Sequence, residues 1–189
     1  MASRLNLEVG HAVILVCDID KMIDFYTGVL GFEVTDRGPL ARPGTPEGTE
    51  IVFLSQASNH HHQVAFVNTR SGVGPSNSVD HVAFRTSGTL DDLRALEAEL
   101  RAHEAVTGIR PITHGNAWSV YFRDPEGNGV EIFLDTPWHV AQPQGRPLDL
   151  SLDTDAITEW TEREFRDEPE FGPIDDFYAK RASHLGRAD

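Results

Sequence analysis

HAVILVCDIDKMIDFYTGVL, residues 11–30, superposes on HVAFRTSGTLDDLRALEAEL, residues 81–100, when the chain is written against itself at an offset of 70 residues. Each copy opens on a histidine, His11 or His81, followed by a short apolar run and then a segment of helical period. In the first copy Met22, Phe25, Tyr26 and Val29 recur at spacings of three and four, which puts them on one helical face, and Gly31 follows as a stop. In the second copy a helix beginning near Thr89 carries Leu90, Leu93, Leu96 and Leu100 as its apolar stripe. Asp91 and Asp92 fall in its first turn, where the helix dipole favours them.

Outward from these segments the pattern repeats. After the first helix, strands are expected near 31–36, 50–55 and 61–67, with a Gly/Pro-rich loop over 37–49. After the second, strands are expected near 108–113, 117–123 and 129–135, the last two joined by DPEGNG, whose Pro and Gly suit a tight turn. The fold class is therefore α+β, with two tandem β-α-β-β-β modules forming one incomplete barrel-like sheet, module 1 over about 8–70 and module 2 over about 78–137. They are read as one domain over 1–144. Beyond it, 145–189 is an acidic C-terminal extension expected to pack on the domain or on a neighbouring subunit. Beyond Pro137 the HVAQPQGRPLDLSL stretch, residues 139–152, is expected to run extended over the surface, and DTDAITEWTEREFRD, residues 153–167, to form an amphipathic helix.

Thirty acidic against sixteen basic side chains give a net charge of −14, which disfavours nucleic acid and anionic membranes as partners. A single cysteine, Cys17, excludes an internal disulfide, and no run has the length of a membrane span. The N-terminal residues lack the apolar core of a signal peptide, so the expected location is the cytoplasm.

Three residues point to a metal. His11 and His81 occupy matched places at the start of the two modules, and pseudo-twofold symmetry is expected to bring them to one concave surface. Glu131 lies on the last strand between Val130 and Ile132, where an inward carboxylate is costly unless paired or bound to a cation. Two histidines and one carboxylate, with other positions open, suit non-haem Fe(II) that activates oxygen. Mn(II), Zn(II), Ni(II) and Co(II) also accept these ligands. Asp124, Pro125, Gly127 and Asn128 read as turn-formers. His103, His139 and His184 have no motif around them and are assigned to the surface, while Trp118 fits either a ring pocket or the core.

With these residues in place, the chain resembles the vicinal oxygen chelate superfamily (the glyoxalase/bleomycin resistance/dioxygenase fold), and within it the one-domain type I extradiol catechol dioxygenases. The family's signature has a His, an aliphatic residue before a Tyr, a D-P-x-G turn and a ligand Glu. Here His114, Val120, Tyr121, Asp124, Pro125, Gly127 and Glu131 match it, and the similarity runs over residues 8 to 135. The resemblance implies His11, His81 and Glu131 as ligands of Fe(II), with Mn(II) possible, and His114 and Tyr121 as partners of the substrate oxygens. The run HHHQVAFV, residues 60–67, is similar to the family strand whose histidine stands in the oxygen pocket; Ala65 and Phe66 select His62, although the 70-residue offset aligns His61 with Glu131. The implied reaction is ring cleavage of a catechol beside its diol with both atoms of O2 inserted, in a homo-oligomer. Alternatives are a metal-dependent isomerase or lyase of glyoxalase type, disfavoured by the lack of Asp or Glu from Ser58 to Arg70, and a non-catalytic protein that binds an aromatic ligand.

Overall fold

The computed structural model describes residues 9–40, 43–75 and 78–185. They form an α+β fold in which each module builds its own sheet, and no closed barrel is present among them. By contacts the chain divides into two compact units. The first reaches to Pro75 and includes Pro125–Gly127; the second holds the remainder.

In the first unit, β1 (Ala12–Leu15), α1 (Ile19–Gly28), β2 (Glu33–Pro39), β3 (Glu50–Ser55) and β4 (Val64–Val67) follow in the expected order. The sheet order is β1-β4-β3-β2, with β1 and β4 parallel and the other pairs antiparallel. Asp18 caps α1 by accepting from the Lys21 amide. Ile19, Met22, Phe25 and Tyr26 are buried on one face of that helix, and the Tyr26 ring meets Phe66 edge-on at 4.8 Å. Strand alternation puts Val52, Leu54, Val64 and Phe66 on the core side. His11, one residue before β1, shares the opposite face with Val13 and Leu15, which are about half exposed. Two boundaries differ from the sequence reading. β2 runs on to Pro39, and β4 starts only at Val64, so residues 60–63 are not in a strand.

The tip of the D-P-E-G turn belongs to this unit. Glu126 is buried, and its carboxylate accepts from the amides of Cys17 (2.8 and 2.9 Å) and Asp18 (2.7 Å), with Arg70 at 3.7 Å. Gly127 has φ +85°, and a Cβ there would press on the Gly74 backbone, so the turn needs glycine. Asp124 and Asn128 close it, the Asp124 carboxylate accepting from the Asn128 backbone and side-chain amides.

In the second unit, β5 (Val82–Arg85), α2 (Leu90–Ala102), β6 (Thr107–Thr113), β7 (Ala117–Arg123) and β8 (Gly129–Asp135) repeat the pattern, again with the first and last strands of the module parallel. Thr89 and Asp92 form a capping box at the start of α2, and Leu90, Leu93 and Leu100 are buried. Leu96 is only half-buried.

The tail is not a surface strap. β9 (Trp138–His139), β10 (Arg146–Pro147), α3 (Thr154–Phe165), β11 (Gly172–Pro173) and α4 (Ile174–Leu185) follow, and β10 pairs with β6 as an outer strand of the second sheet. Val140, Leu148 and Leu150 are buried, so the tail adds apolar side chains to the core instead of leaving them in water. The Arg94 guanidinium holds the carbonyls of Leu150 and Leu152 at 2.8 and 2.6 Å. Ile157 and Phe165 of α3 are buried, and Trp118 donates its indole N–H to Thr161 at 2.9 Å. Trp118 therefore belongs to the core. His139 is also drawn inward, stacked on Phe177 at 3.7 Å, which corrects its assignment to the surface; the His184 side chain lies outside the described residues. No described helix is long and apolar enough to cross a membrane.

Candidate metal and substrate site

The second unit gathers most of the residues singled out above. Across the β7–β8 ladder Tyr121 pairs with Glu131, and β5 places Ala83 beside Glu131, so His81, Tyr121 and Glu131 share one sheet face. Glu131 is 7% exposed, and each of its oxygens has a different neighbour. Oε1 accepts from Ser119 Oγ at 2.6 Å, and Oε2 lies 3.1 Å from His81 Nε2. Ser119 is two residues before Tyr121 on the same strand face; that alternation was the available signal for it.

His81 is held from behind as well. Its Nδ1 lies 2.8 Å from Asp80 Oδ2, and the hydrogen bond from His81 is the first cause keeping the Asp80 carboxyl below its usual range. A carboxylate only accepts, so Nδ1 carries the proton and Nε2 of the neutral ring presents a lone pair. That lone pair and Glu131 Oε2 are two acceptors 3.1 Å apart, which repel unless a proton or a cation lies between them. The donor set thus fits a divalent metal, and a carboxylate behind the imidazole is the usual outer partner where a histidine ligates one.

His114 and Tyr121 form a second pair. His114 Nδ1 lies 2.6 Å from the Gln144 carbonyl oxygen, which can only accept. In the neutral ring the other nitrogen, Nε2, is an acceptor 2.9 Å from Tyr121 Oη, and it shares the one Tyr121 hydroxyl proton with the Glu131 carboxylate. Burial first, and then the hydrogen bond and charge of Glu131, push the Tyr121 hydroxyl well above the ordinary phenol range, so it stays protonated. The His81 and Tyr121 rings meet edge-on at 5.2 Å.

His11 and His62 lie in the first unit. Their ring centroids are 4.3 Å apart, and the edge of the His62 ring meets Phe53 at 4.8 Å. Burial, followed by the neighbouring His11 and His61, lowers the His62 pKa. His61 is the more exposed of the two, its Nδ1 2.9 Å from His62 Nδ1 and its Nε2 2.7 Å from Asp36. Of the six site residues named from sequence, the structure pairs His81 with Glu131, His114 with Tyr121, and His11 with His62. Among the described residues no group of three or more His, Cys, Asp or Glu is gathered as a metal-binding set. Asp80, Ser119, Gln144 and Asp36 are partners that sequence reading missed, while His61 entered it only as the alternative to His62. Gln144 had no signal at all, since only the fold of the tail brings its carbonyl to His114.

Residues 8–132 match the model of the Glyoxalase/Bleomycin resistance protein/Dioxygenase superfamily. Biphenyl-2,3-diol 1,2-dioxygenase 3 of Rhodococcus globerulus is 30% identical over 133 residues, covering 68% of this chain and 63% of the relative. Catechol-2,3-dioxygenase of Bacillus subtilis (strain 168) is 25% identical over 133 residues, covering 70% of this chain and 43% of the relative. The chain thus spans less than two thirds of the length of these relatives. Among solved structures, the glyoxylase/bleomycin resistance protein/dioxygenase domain from Frankia sp. EAN1pec superposes with a TM-score of 0.56 at 20% identity, over 71% of this chain and 96% of that one, a likeness of fold. By the extent of the family match and the two β-α-β-β-β repeats, the chain belongs to the glyoxalase/bleomycin resistance/dioxygenase superfamily.

Proposed function

We propose that the protein is an Fe(II)-dependent extradiol dioxygenase that cleaves a catechol-type ring beside its diol, with His11, His81 and Glu131 as the metal ligands. The observation that carries this reading is the pairing of His81 Nε2 with Glu131 Oε2, backed by Asp80 and Ser119 and flanked by Tyr121 and His114. The dioxygenase names of the relatives support the choice of chemistry. Bound Fe(II) would supply a centre where diol and O2 meet and would lower the proton affinity of the diol.

The side chains do the rest. Tyr121 directs its hydroxyl proton toward His114 and Glu131, so its oxygen keeps lone pairs free to accept from a substrate hydroxyl. A proton leaving the diol is thereby offered a path through Tyr121 to His114. His114 is steadied by the Gln144 carbonyl. Ser119 turns the Glu131 carboxylate so that Oε2 faces His81. His62, with its lowered pKa, is the neutral base near pH 7 and serves as acid once it has taken a proton.

The test is anaerobic loading with Fe(II) followed by admission of air with a panel of catechols, with oxygen uptake recorded against an iron-free control. Iron-dependent uptake with a yellow ring-opened product is expected. Turnover that proceeds without oxygen would overturn the reading in favour of an isomerase or lyase on the same fold.

A further inference from the structure

Beyond the residues of the family signature, the first unit carries an unbroken hydrogen-bonded chain from solvent to His62. Asp36 Oδ2 lies 2.7 Å from His61 Nε2, and His61 Nδ1 lies 2.9 Å from His62 Nδ1. We propose that Asp36 and His61 are positioning residues that fix the tautomer of His62, leaving its Nε2 as the bare nitrogen offered to reactants. The proposal rests on the reading above that His62 works at the reaction centre.

Hydrogen-bond direction follows from donor inventory. The Asp36 carboxylate accepts only, so His61 carries its proton on Nε2, and the neutral His61 ring must then accept at Nδ1. The donor into that bond is His62 Nδ1–H. His62 Nε2 is left without a proton, the less common form of a free imidazole.

The chain is built, because the backbone is bent to make it. Between β2 and β3 the register shifts at Thr35: Val34 pairs with Leu54, but Asp36 pairs with Phe53. Unbroken pairing would have put Thr35 opposite Phe53 and turned Asp36 to the other face. The bulge re-aims it. Phe53, its cross-strand partner, is the residue whose ring meets both His61 (5.5 Å) and His62 (4.8 Å) edge-on, which restrains both imidazoles. His61 and Asp36 have side-chain exposures of 55% and 68%, so their pairing adds little to stability. Its value is directional.

The test uses the full chain with histidine labelled by nitrogen-15, treated with a chelator to remove paramagnetic ions, at a pH where the histidines are neutral. Long-range proton–nitrogen correlation reads each imidazole tautomer, and the His62 signals are assigned by their loss in His62→Gln. The expected result is Nδ1–H on His62 in the unaltered protein, shifting mainly to Nε2–H in His61→Phe, which keeps an aromatic ring against Phe53. Asp36→Ala, at an exposed position, should shift it the same way and guards against misfolding of the first variant. With Fe(II) and a catechol, both variants should lose at least about tenfold in kcat with KM within about twofold. Finding Nε2–H on His62 from the start, or an unchanged tautomer in both variants, would overturn the proposal. Absence of oxygen uptake in the unaltered protein would instead sink the ring-cleavage reading, while the tautomer measurement still decides this one.

Discussion

Replacing Glu126 by alanine should destabilise the first unit strongly, although the residue takes no part in the proposed chemistry. Its carboxylate is 1% exposed and accepts from the Cys17 and Asp18 amides at the β1–α1 turn, where helix N-terminal N–H groups lack intrahelical partners. Hydrogen bonds to a charged group contribute about 1.5–3 kcal/mol each, so losing two costs about 3 kcal/mol at the lower end. The Arg70 guanidinium loses its carboxylate at 3.7 Å but keeps the Glu126 and Gly74 carbonyls, which limits any further cost. For a chain of this length about 3 kcal/mol corresponds to a fall in Tm of roughly 6–12 °C. Circular dichroism melts of Glu126→Ala, with the exposed Glu47→Gln as control, measure this. A loss under about 1 kcal/mol by urea unfolding would refute the assignment of Glu126 as the buried cap of this turn.

Other expectations are more local. Asp80→Ala should weaken divalent metal binding by about 10–100-fold, measured by competition with a chromophoric chelator, because His81 loses the partner of its Nδ1. The Asp92 carboxyl is held below the usual aspartate range, chiefly by the hydrogen bond from the Thr89 backbone amide. A depressed folded-state pKa adds stability above the unfolded value that is lost as pH falls through the folded one. Urea midpoints of the unaltered protein and Asp92→Asn should therefore differ at neutral pH and converge below about pH 4. Gly115→Ala should cost about 2–4 kcal/mol by the same assay, since φ is +81° and the new Cβ would stand 2.5 Å from Val140 and 2.9 Å from the Phe165 ring.

The fold was legible wherever local pattern and tertiary burial agree. The strands around Tyr121 and Glu131, the Thr89 start of α2 and the α1 stripe of Met22, Phe25 and Tyr26 all follow from period and punctuation. So did the turn-forming role of Asp124, Gly127 and Asn128. Reading failed where a long-range contact decides. Glu126 looks like any turn glutamate until its partners 108 and 109 residues away are known. The match of Ala65 and Phe66 selected His62 over His61, yet residues 60–63 precede β4, and both rings reach Phe53. The tail read as polar cover because its buried residues, Val140, Leu148 and Leu150, are spaced among prolines without a period. α4 had a start signal in Asp175 and Asp176 after Pro173, but in an acidic tail that signal does not stand out.

Ring cleavage itself is tested most directly with heavy-isotope oxygen. Fe(II)-loaded protein is given a catechol that supports oxygen uptake, or the full panel if none does, under labelled O2, and the product mass is read beside that from Glu131→Ala. A ring-opened product that carries both labelled atoms is expected, allowing for exchange of an aldehyde oxygen with water, and none from the variant. A product formed without label, or one formed equally by Glu131→Ala, would contradict it.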